Sequence, residues 1–345
     1  MPKTAQRTDL VIVGAGPVGL FSVFECGMLD MKCHVIDALD AVGGQCLALY
    51  PEKPIYDIPG YPEISAGDLI RRLEAQARPF KPVYHLDQRV EAVTPDGDER
   101  WLVETDAGTA INARAVIVAA GVGAFGPNRP PLEGIEDFEN QGAGAGVHYL
   151  VKRPEDFRGK KVVIAGGGDS AVDWALSLAK VAGRLTVVHR RHKFRAAPES
   201  AGKLKKLARD GAIDLVIPFQ LAALEGEGGR LRAVLVRDLD GGEKRIEADA
   251  LLPFYGLAQD LGPIAEWGLN LERNLVGVDP STCLTNRPGI FAIGDIAAYP
   301  GKLKLILTGF SEAAMAAHAA YALVHPEQEL HFEYSTIKGL PGGGS

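Results

Sequence analysis

Cysteine is scarce in this chain, and each one stands alone. Cys26, Cys33, Cys46 and Cys283 are the four among 345 residues. No two form a C-x-x-C pair or a metal-ligand spacing, so neither a zinc site nor a disulfide framework is expected. A reduced, cytoplasmic protein without a metal is the simplest reading. Long apolar runs are missing as well. The most apolar late stretch, AAMAAHAAYALV at 313–324, falls short of a membrane span and carries His318. The opening MPKTAQRTDLVIVGAG holds no secretory core, because its apolar run passes straight into glycines. Nor is there a surplus of positive charge. Lys and Arg number 37 against 44 Asp and Glu, a net −7 that argues against nucleic-acid binding through bulk charge. What remains is 46% hydrophobic and 23% charged residues, a globular composition, in a chain long enough for two domains.

Glycine is plentiful, and it is placed. Asp9-Leu10-Val11-Ile12-Val13 reads as a strand buried on both faces, and it runs into Gly14-Ala15-Gly16-Pro17-Val18-Gly19. Gly14 permits a tight turn, Gly16 lets backbone approach a pyrophosphate, and Gly19 lets a helix pack on the strand. The helix start then offers free N–H groups to an anion. The next strand, KCHVID at 32–37, ends in Asp37, at the distance expected of an acid that accepts from a ribose hydroxyl.

The pattern then repeats. Lys161–Ala165 is a strand, and Gly166-Gly167-Gly168-Asp169-Ser170-Ala171 opens a helix. Ala171 at the third position is an accepted variant. The strand after it, RLTVVH, ends in His189-Arg190-Arg191, with Arg195 just beyond, where the first unit has Asp37. A carboxylate repels a 2′-phosphate, whereas guanidinium groups bind it. The first site is therefore expected to take FAD and the second NADPH.

Two antiparallel meanders and two crossings complete the plan. The stretch GVGAFGPNRPPLEG at 121–134 reads as a Gly/Pro linker, and a second crossing falls near LPFYGLAQD at 252–260. The expected fold class is α/β with two Rossmann-like, three-layer domains. The expected division is 1–123 and 257–345 for a discontinuous FAD domain and 124–256 for an inserted NADPH domain. Near the end, PGIFAIGDI sets Asp295 just after an apolar strand.

VIVGAGPVGL, GGQC, VVIAGGGDSAVDWA, VVHRRHKFRA and FAIGDI occur in the order seen in two-domain flavoproteins of the thioredoxin reductase type, and the chain resembles them over nearly its whole length. That resemblance implies FAD, NADP(H), hydride transfer from nicotinamide to flavin, and a homodimer. The departure is equally informative. In that family a C-A-T-C site follows G-V-x-Y; here Gly146-Val147-His148-Tyr149 is followed by Leu150-Val151-Lys152-Arg153. Neither Leu150 nor Arg153 can form a thiolate. Glutathione-reductase-like enzymes place a second cysteine five residues after the first, and five after Cys46 is Pro51. Cys46 is accordingly read as a small buried side chain.

A flavin and NADPH without a dithiol are similar to the ferredoxin–NADP reductases built on the same scaffold. QCLALYPEKPIYDIPGYP, YPGKLKLILTGFSEA and an extension containing EYST carry that similarity. It implies that Tyr50 stacks on one face of the isoalloxazine and that Tyr334 from a partner subunit covers the other. Gly44, Gln45, Val90, Phe125, Asp295 and Thr336 would complete the FAD contacts. A covering ring at Tyr334 would have to move before nicotinamide could stack. The implied partner is an acidic ferredoxin or flavodoxin, docked on a local basic surface such as Arg71-Arg72, the segment Lys152–Lys161, or Lys193-Arg195. Two rival readings are an NADPH diaphorase with a quinone acceptor and a non-catalytic FAD/NADP sensor. The linker GVGAFGPNRP lacks the long histidine-containing fingerprint of flavin monooxygenases.

Overall fold

Short strands that are apolar on both faces need a covering layer on each side. The computed structural model describes residues 5–97, 99–139, 141–330 and residue 339. Strand β1 (Leu10–Val13) leads through the first glycine loop into helix α1 (Pro17–Met28) and strand β2 (Cys33–Ile36). Helices α2 (Gly44–Leu49) and α3 (Ala66–Ala77) follow, then strands β3 (Val83–His85) and β4 (Ala115–Val118). The second set opens with β5 (Gly146–Val147), β6 (Lys161–Ala165), α4 (Asp169–Leu178) and β7 (Arg184–Val188). It continues with α5 (Pro198–Arg209), β8 (Asp214–Val216) and β9 (Ala250–Pro253). The chain returns with β10 (Ile290–Ala292) and α6 (Ile306–Val324).

These elements form two compact units, Met1–Ala124 with Gln259–Ser345, and Phe125–Ala258. The crossing segments Ala124–Pro127 and Leu257–Asp260 pair as a two-stranded ribbon.

In the first unit the sheet runs β10-β4-β1-β2-β3, every pair parallel. Alternation along the strands decides what each face meets. Leu10 and Ile12 of β1, with Ile117 and Phe291, pack against the α1/α6 side, including Val23, Ala313 and Ala317. Val11 and Val13 turn the other way, toward Val93, Trp101, Val103 and Ile111 of an antiparallel meander. The three layers are thus helix, parallel sheet and antiparallel sheet. Helix α6 lies close to α1 because its inner face is glycine and alanine. An added Cβ at Gly309 would run into the Val18 side chain.

The second unit repeats the plan with sheet order β5-β9-β6-β7-β8, all parallel. Val163, Ala165 and Val188 face a meander built from Gln220–Glu227, Arg230–Arg237 and Glu243–Glu247. Helix α4 packs on β6 and β7 from the opposite face. In both sheets the chain moves outward on one side of the strand that precedes the glycine loop, and the strand paired on its other side comes from later in the chain. Each loop therefore lies at a topological switch point, where doubly wound sheets bind ligands.

Among the described residues no helix is long and apolar enough to cross a membrane. None of them forms a cluster of three His, Cys, Asp or Glu able to hold a metal ion.

Among the described residues, Phe291 is the largest side chain fully enclosed in the first unit's core. Phe291→Ala is expected to cost about 3–5 kcal/mol. Urea denaturation followed by far-UV circular dichroism would show this as a lower midpoint.

Candidate nucleotide-binding sites

The first glycine loop separates two demands on glycine. Gly14 has φ +110°, and a Cβ there would meet the Ala119 carbonyl at the end of β4. A Cβ at Gly19 would strike the Gly14 carbonyl oxygen, so α1 can lie against the loop only with glycine there. Gly16 is different. Its φ of −69° and ψ of −178° suit any residue, and a Cβ there would meet nothing within 4 Å. Packing does not require glycine at this position. The open space lies at the start of α1, where no side chain caps the helix and Pro17 takes the position that needs no N–H. This cradle fits the pyrophosphate of a dinucleotide.

Other expected residues gather around the loop. Asp37 accepts from the Ala15 N–H at 2.6 Å and the Leu39 N–H at 2.9 Å. Burial raises its pKa, and the two backbone donors oppose the rise. Its oxygens keep lone pairs for further donors such as ribose hydroxyls. Gln88 donates its N–H to the Asp37 carbonyl at 3.1 Å, which brings the strand that starts at Val90 alongside. The Gly43 N–H bonds the Ala15 carbonyl at 2.8 Å, and Gly44 sits close enough that its Cβ would lie 3.1 Å from the Gly16 Cα. The Gln45 amide nitrogen lies beside Gly121, 3.5 Å from where a Cβ there would stand. Val18 packs against Gly294 and Gly309.

Helix α2 then presents Cys46 and Tyr50 four residues apart, with Sγ and the phenol oxygen at 3.8 Å. Burial pushes the Cys46 thiol up to about 11, with the Asp295 charge adding and the Tyr50 hydroxyl opposing. Burial likewise raises Tyr50 well above the usual phenol range, with Cys46 and Asp295 contributing. Asp295, on the 3-10 turn Gly294–Ile296 after β10, is thus electrostatically coupled to both side chains. Burial raises its carboxyl too, against the pull of Lys304 and Lys302. All four cysteines are free and buried.

The second unit mirrors the first with the charge reversed. A Cβ at Gly166 would crowd the Phe254 carbonyl at 2.6 Å and the Ala171 side chain at 2.9 Å, while at Gly168 it would meet nothing within 4 Å. Gly168 precedes α4, which begins at Asp169 and Ser170 without a side-chain cap. Arg190, Arg191 and Arg195 are exposed and form no ion pair among the described residues. Two bonds tie their loop to the cradle. The Arg195 N–H donates to the Gly167 carbonyl at 2.7 Å, and the Ala197 N–H to Asp169 Oδ1 at 2.9 Å. His189 turns inward, stacks on Phe194 at 5.0 Å between centroids, and fills the space a Cβ at Gly167 would need. Burial, then the neighbouring arginines, hold its pKa down.

Phe125 lies in the strand Ala124–Pro127 at the crossing between units. Tyr334 and Thr336 lie outside the described residues. Two of the candidate docking patches are partly compensated. Arg71 pairs with Asp68, Arg153 with Asp156, Arg158 with Glu155 and Lys161 with Glu247. Sequence reasoning passed over Glu312, which α6 buries behind the Asp295 turn. Its partners lie 18, 13 and 10 residues away, so no local pattern pointed to it.

The chain matches the model of the pyridine nucleotide-disulphide oxidoreductases over residues 8–322. It belongs to this family. It is 63% identical to a ferredoxin–NADP reductase of Paramagnetospirillum magneticum over 98% of its length and 99% of the relative's. The figure is 61% for the ferredoxin–NADP reductase of Rhodospirillum rubrum, over 99% and 98%. Within the family, then, the chain belongs with the ferredoxin–NADP reductases. Solved thioredoxin reductases share the fold. That of Lactococcus lactis superposes with a TM-score of 0.78 at 23% identity, over 92% of this chain and 99% of that one. That of T. acidophilum gives 0.79 at 23% identity, over 92% and 98%. FAD and NADP(H) are the cofactors of this family, and electron transfer between NADPH and flavin is its chemistry.

Gly16→Ala and Gly19→Ala should part company. Gly16→Ala is expected to leave apoprotein stability within about 1 kcal/mol, while weakening FAD binding at least about tenfold. Gly19→Ala should lower the stability of the apoprotein itself. Thermal melts and flavin-fluorescence titrations of both variants read the difference.

The Cys46 shift has a pH signature. A thiol whose pKa rises on folding stabilises the fold fully below its unfolded value and loses that contribution as pH climbs toward about 11. Stability should therefore fall over the alkaline limb up to about pH 11, and less steeply in Cys46→Ala. Iodoacetamide should leave Cys46 unmodified in the folded protein at pH 8.

Proposed function

We propose that the first unit holds FAD, the second holds NADP(H), and electrons pass between NADPH and a ferredoxin, with flavodoxin as an alternative carrier. When bound, the flavin exchanges a hydride with nicotinamide and single electrons with the carrier. The observation that carries this reading is the pair of open glycine cradles with opposite charge beside them. Asp37 suits a free ribose hydroxyl and the Arg190, Arg191 and Arg195 cluster suits a 2′-phosphate.

The chain's own groups are chosen for binding and exclusion rather than proton transfer. Tyr50 offers an aromatic face beside Asp295, and Cys46 backs it as a neutral thiol. With Leu150, Arg153 and Pro51 where partner cysteines would stand, no dithiol relay is available, so a bound flavin would have to pass its electrons on directly. Val90, Phe125, Thr336 and a partner subunit's Tyr334 complete the FAD site in this reading, which makes the working form a cytoplasmic homodimer. The names of relatives at 61–63% identity over nearly the whole chain support the acceptor class.

Under anaerobic conditions NADPH should bleach the yellow protein, and cytochrome c reduction should depend on added ferredoxin. Bleaching without that dependence would favour a diaphorase, and no bleaching would favour a sensor. Arg190→Ala and Arg191→Ala are each expected to raise KM for NADPH by roughly 10–100-fold, as for loss of a charged hydrogen bond. KM for NADH should barely move. Equal effects on both nucleotides would refute the 2′-phosphate assignment.

A further inference from the structure

Behind the Asp295 turn lies a buried charged cluster. Glu312, in the second turn of α6, is 1% exposed, and the Lys302 side chain beside it 7%. Glu312 Oε2 accepts from the Gly294 N–H at 2.7 Å. Its Oε1 accepts from the Tyr299 hydroxyl at 2.5 Å and from the Lys302 ammonium. Both carboxylate oxygens thus have donors, and one of these belongs to the backbone of the turn that carries Asp295.

Stability does not account for this pair. Desolvating a carboxylate and an ammonium costs about what their attraction returns, and an apolar pair of similar size usually does as well. What it does accomplish is local. Glu312 ties α6 to Gly294, whose φ of +72° and packing against Val18 leave the turn one seat. It also sets opposite charges beside Asp295. Lys302 and Lys304 favour the Asp295 carboxylate, and Glu312 opposes it. Cys283 also feels both Glu312 and Lys302, and Tyr299 touches both.

We propose that Glu312 and Lys302 form a positioning pair for the flavin end of the first site, with Glu312 fixing the Gly294–Asp295 turn and the two charges together setting the local potential. The proposal rests on the FAD assignment of the first unit. In a site shielded from water, a unit charge acts over several ångströms with little screening. Removing the negative member favours added electrons on a bound flavin, and removing the positive member disfavours them.

The test uses the full-length, FAD-loaded chain and reads the flavin midpoint potential by dye-equilibrated titration, not turnover. Glu312→Gln should shift it positive and Lys302→Met negative, with the Lys302→Met/Glu312→Gln double variant back near the starting value. Glu312→Leu, which loses the Gly294 bond, should also weaken FAD binding to apoprotein roughly tenfold. A merely structural pair would shift both single variants in the same direction or neither, and either result overturns the proposal. Should the Glu312 variants fail to fold, Lys302→Met decides alone, and an unmoved or raised potential refutes it. Failure of the unaltered chain to take up FAD would instead overturn the cofactor assignment, and this proposal with it.

Discussion

Helix α1 lies hard against the loop it springs from, and the site depends on that seating. Because Gly19 has no Cβ, the helix sits directly on the Gly14 carbonyl. That seating aims the uncapped helix start into the space in front of Gly16. It also lets the Ala15 carbonyl and N–H reach Gly43 and Asp37, so that α2 and the end of β2 are both anchored to the same loop. On its other side α1 carries Val18 against Gly294 and Gly309, which brings the Asp295 turn and α6 to the same place. A bulkier residue at Gly19 would push α1 away from the loop and strain each of these contacts at once.

The second unit uses the same backbone device for a ligand of different charge. The residues just past its second strand, β7, set that difference. In the first unit a half-buried carboxylate is held by two backbone donors. In the second, exposed guanidinium groups sit on a loop tied to the cradle at two points. Those ties matter as much as the charges, since arginines on a loose loop would lose entropy on binding. His189 contributes here as a flat support between Gly167 and Phe194, not as a donor at the surface.

Whatever is local in the chain was legible. Each glycine loop and the charge at the end of its second strand lie within about 25 residues, and their physics is that of one βαβ unit. The fold class followed, because such runs permit few architectures. His189 was read with the arginines beside it. Strand alternation explains the difference, for Val188 faces the meander and the next residue must face the loop. Glu312 was not legible. Its partners are 18, 13 and 10 residues away, across an irregular turn, and nothing in an alanine-rich helix announces them. The same holds for the coupling of Asp295 to Cys46 and Tyr50, which exists only once α2 and the turn after β10 meet.

The lone cysteine in GGQC shows how a shared scaffold changes use without changing shape. A thiol relay needs a thiolate, and a thiolate needs exposure and a positive environment. At Cys46 the structure supplies the reverse, a buried site whose neighbours are a phenol and a carboxylate. Both the thiol and the phenol of Tyr50 are therefore held neutral at ordinary pH. The charges that act on this site include Asp295, Lys302, Lys304 and Glu312, with Lys53 over the Tyr50 ring. In a relay enzyme the nucleophile's own charge would enter that balance at each turnover. Here the balance is fixed by residues that do not react, so changing one of them retunes the site without removing a step.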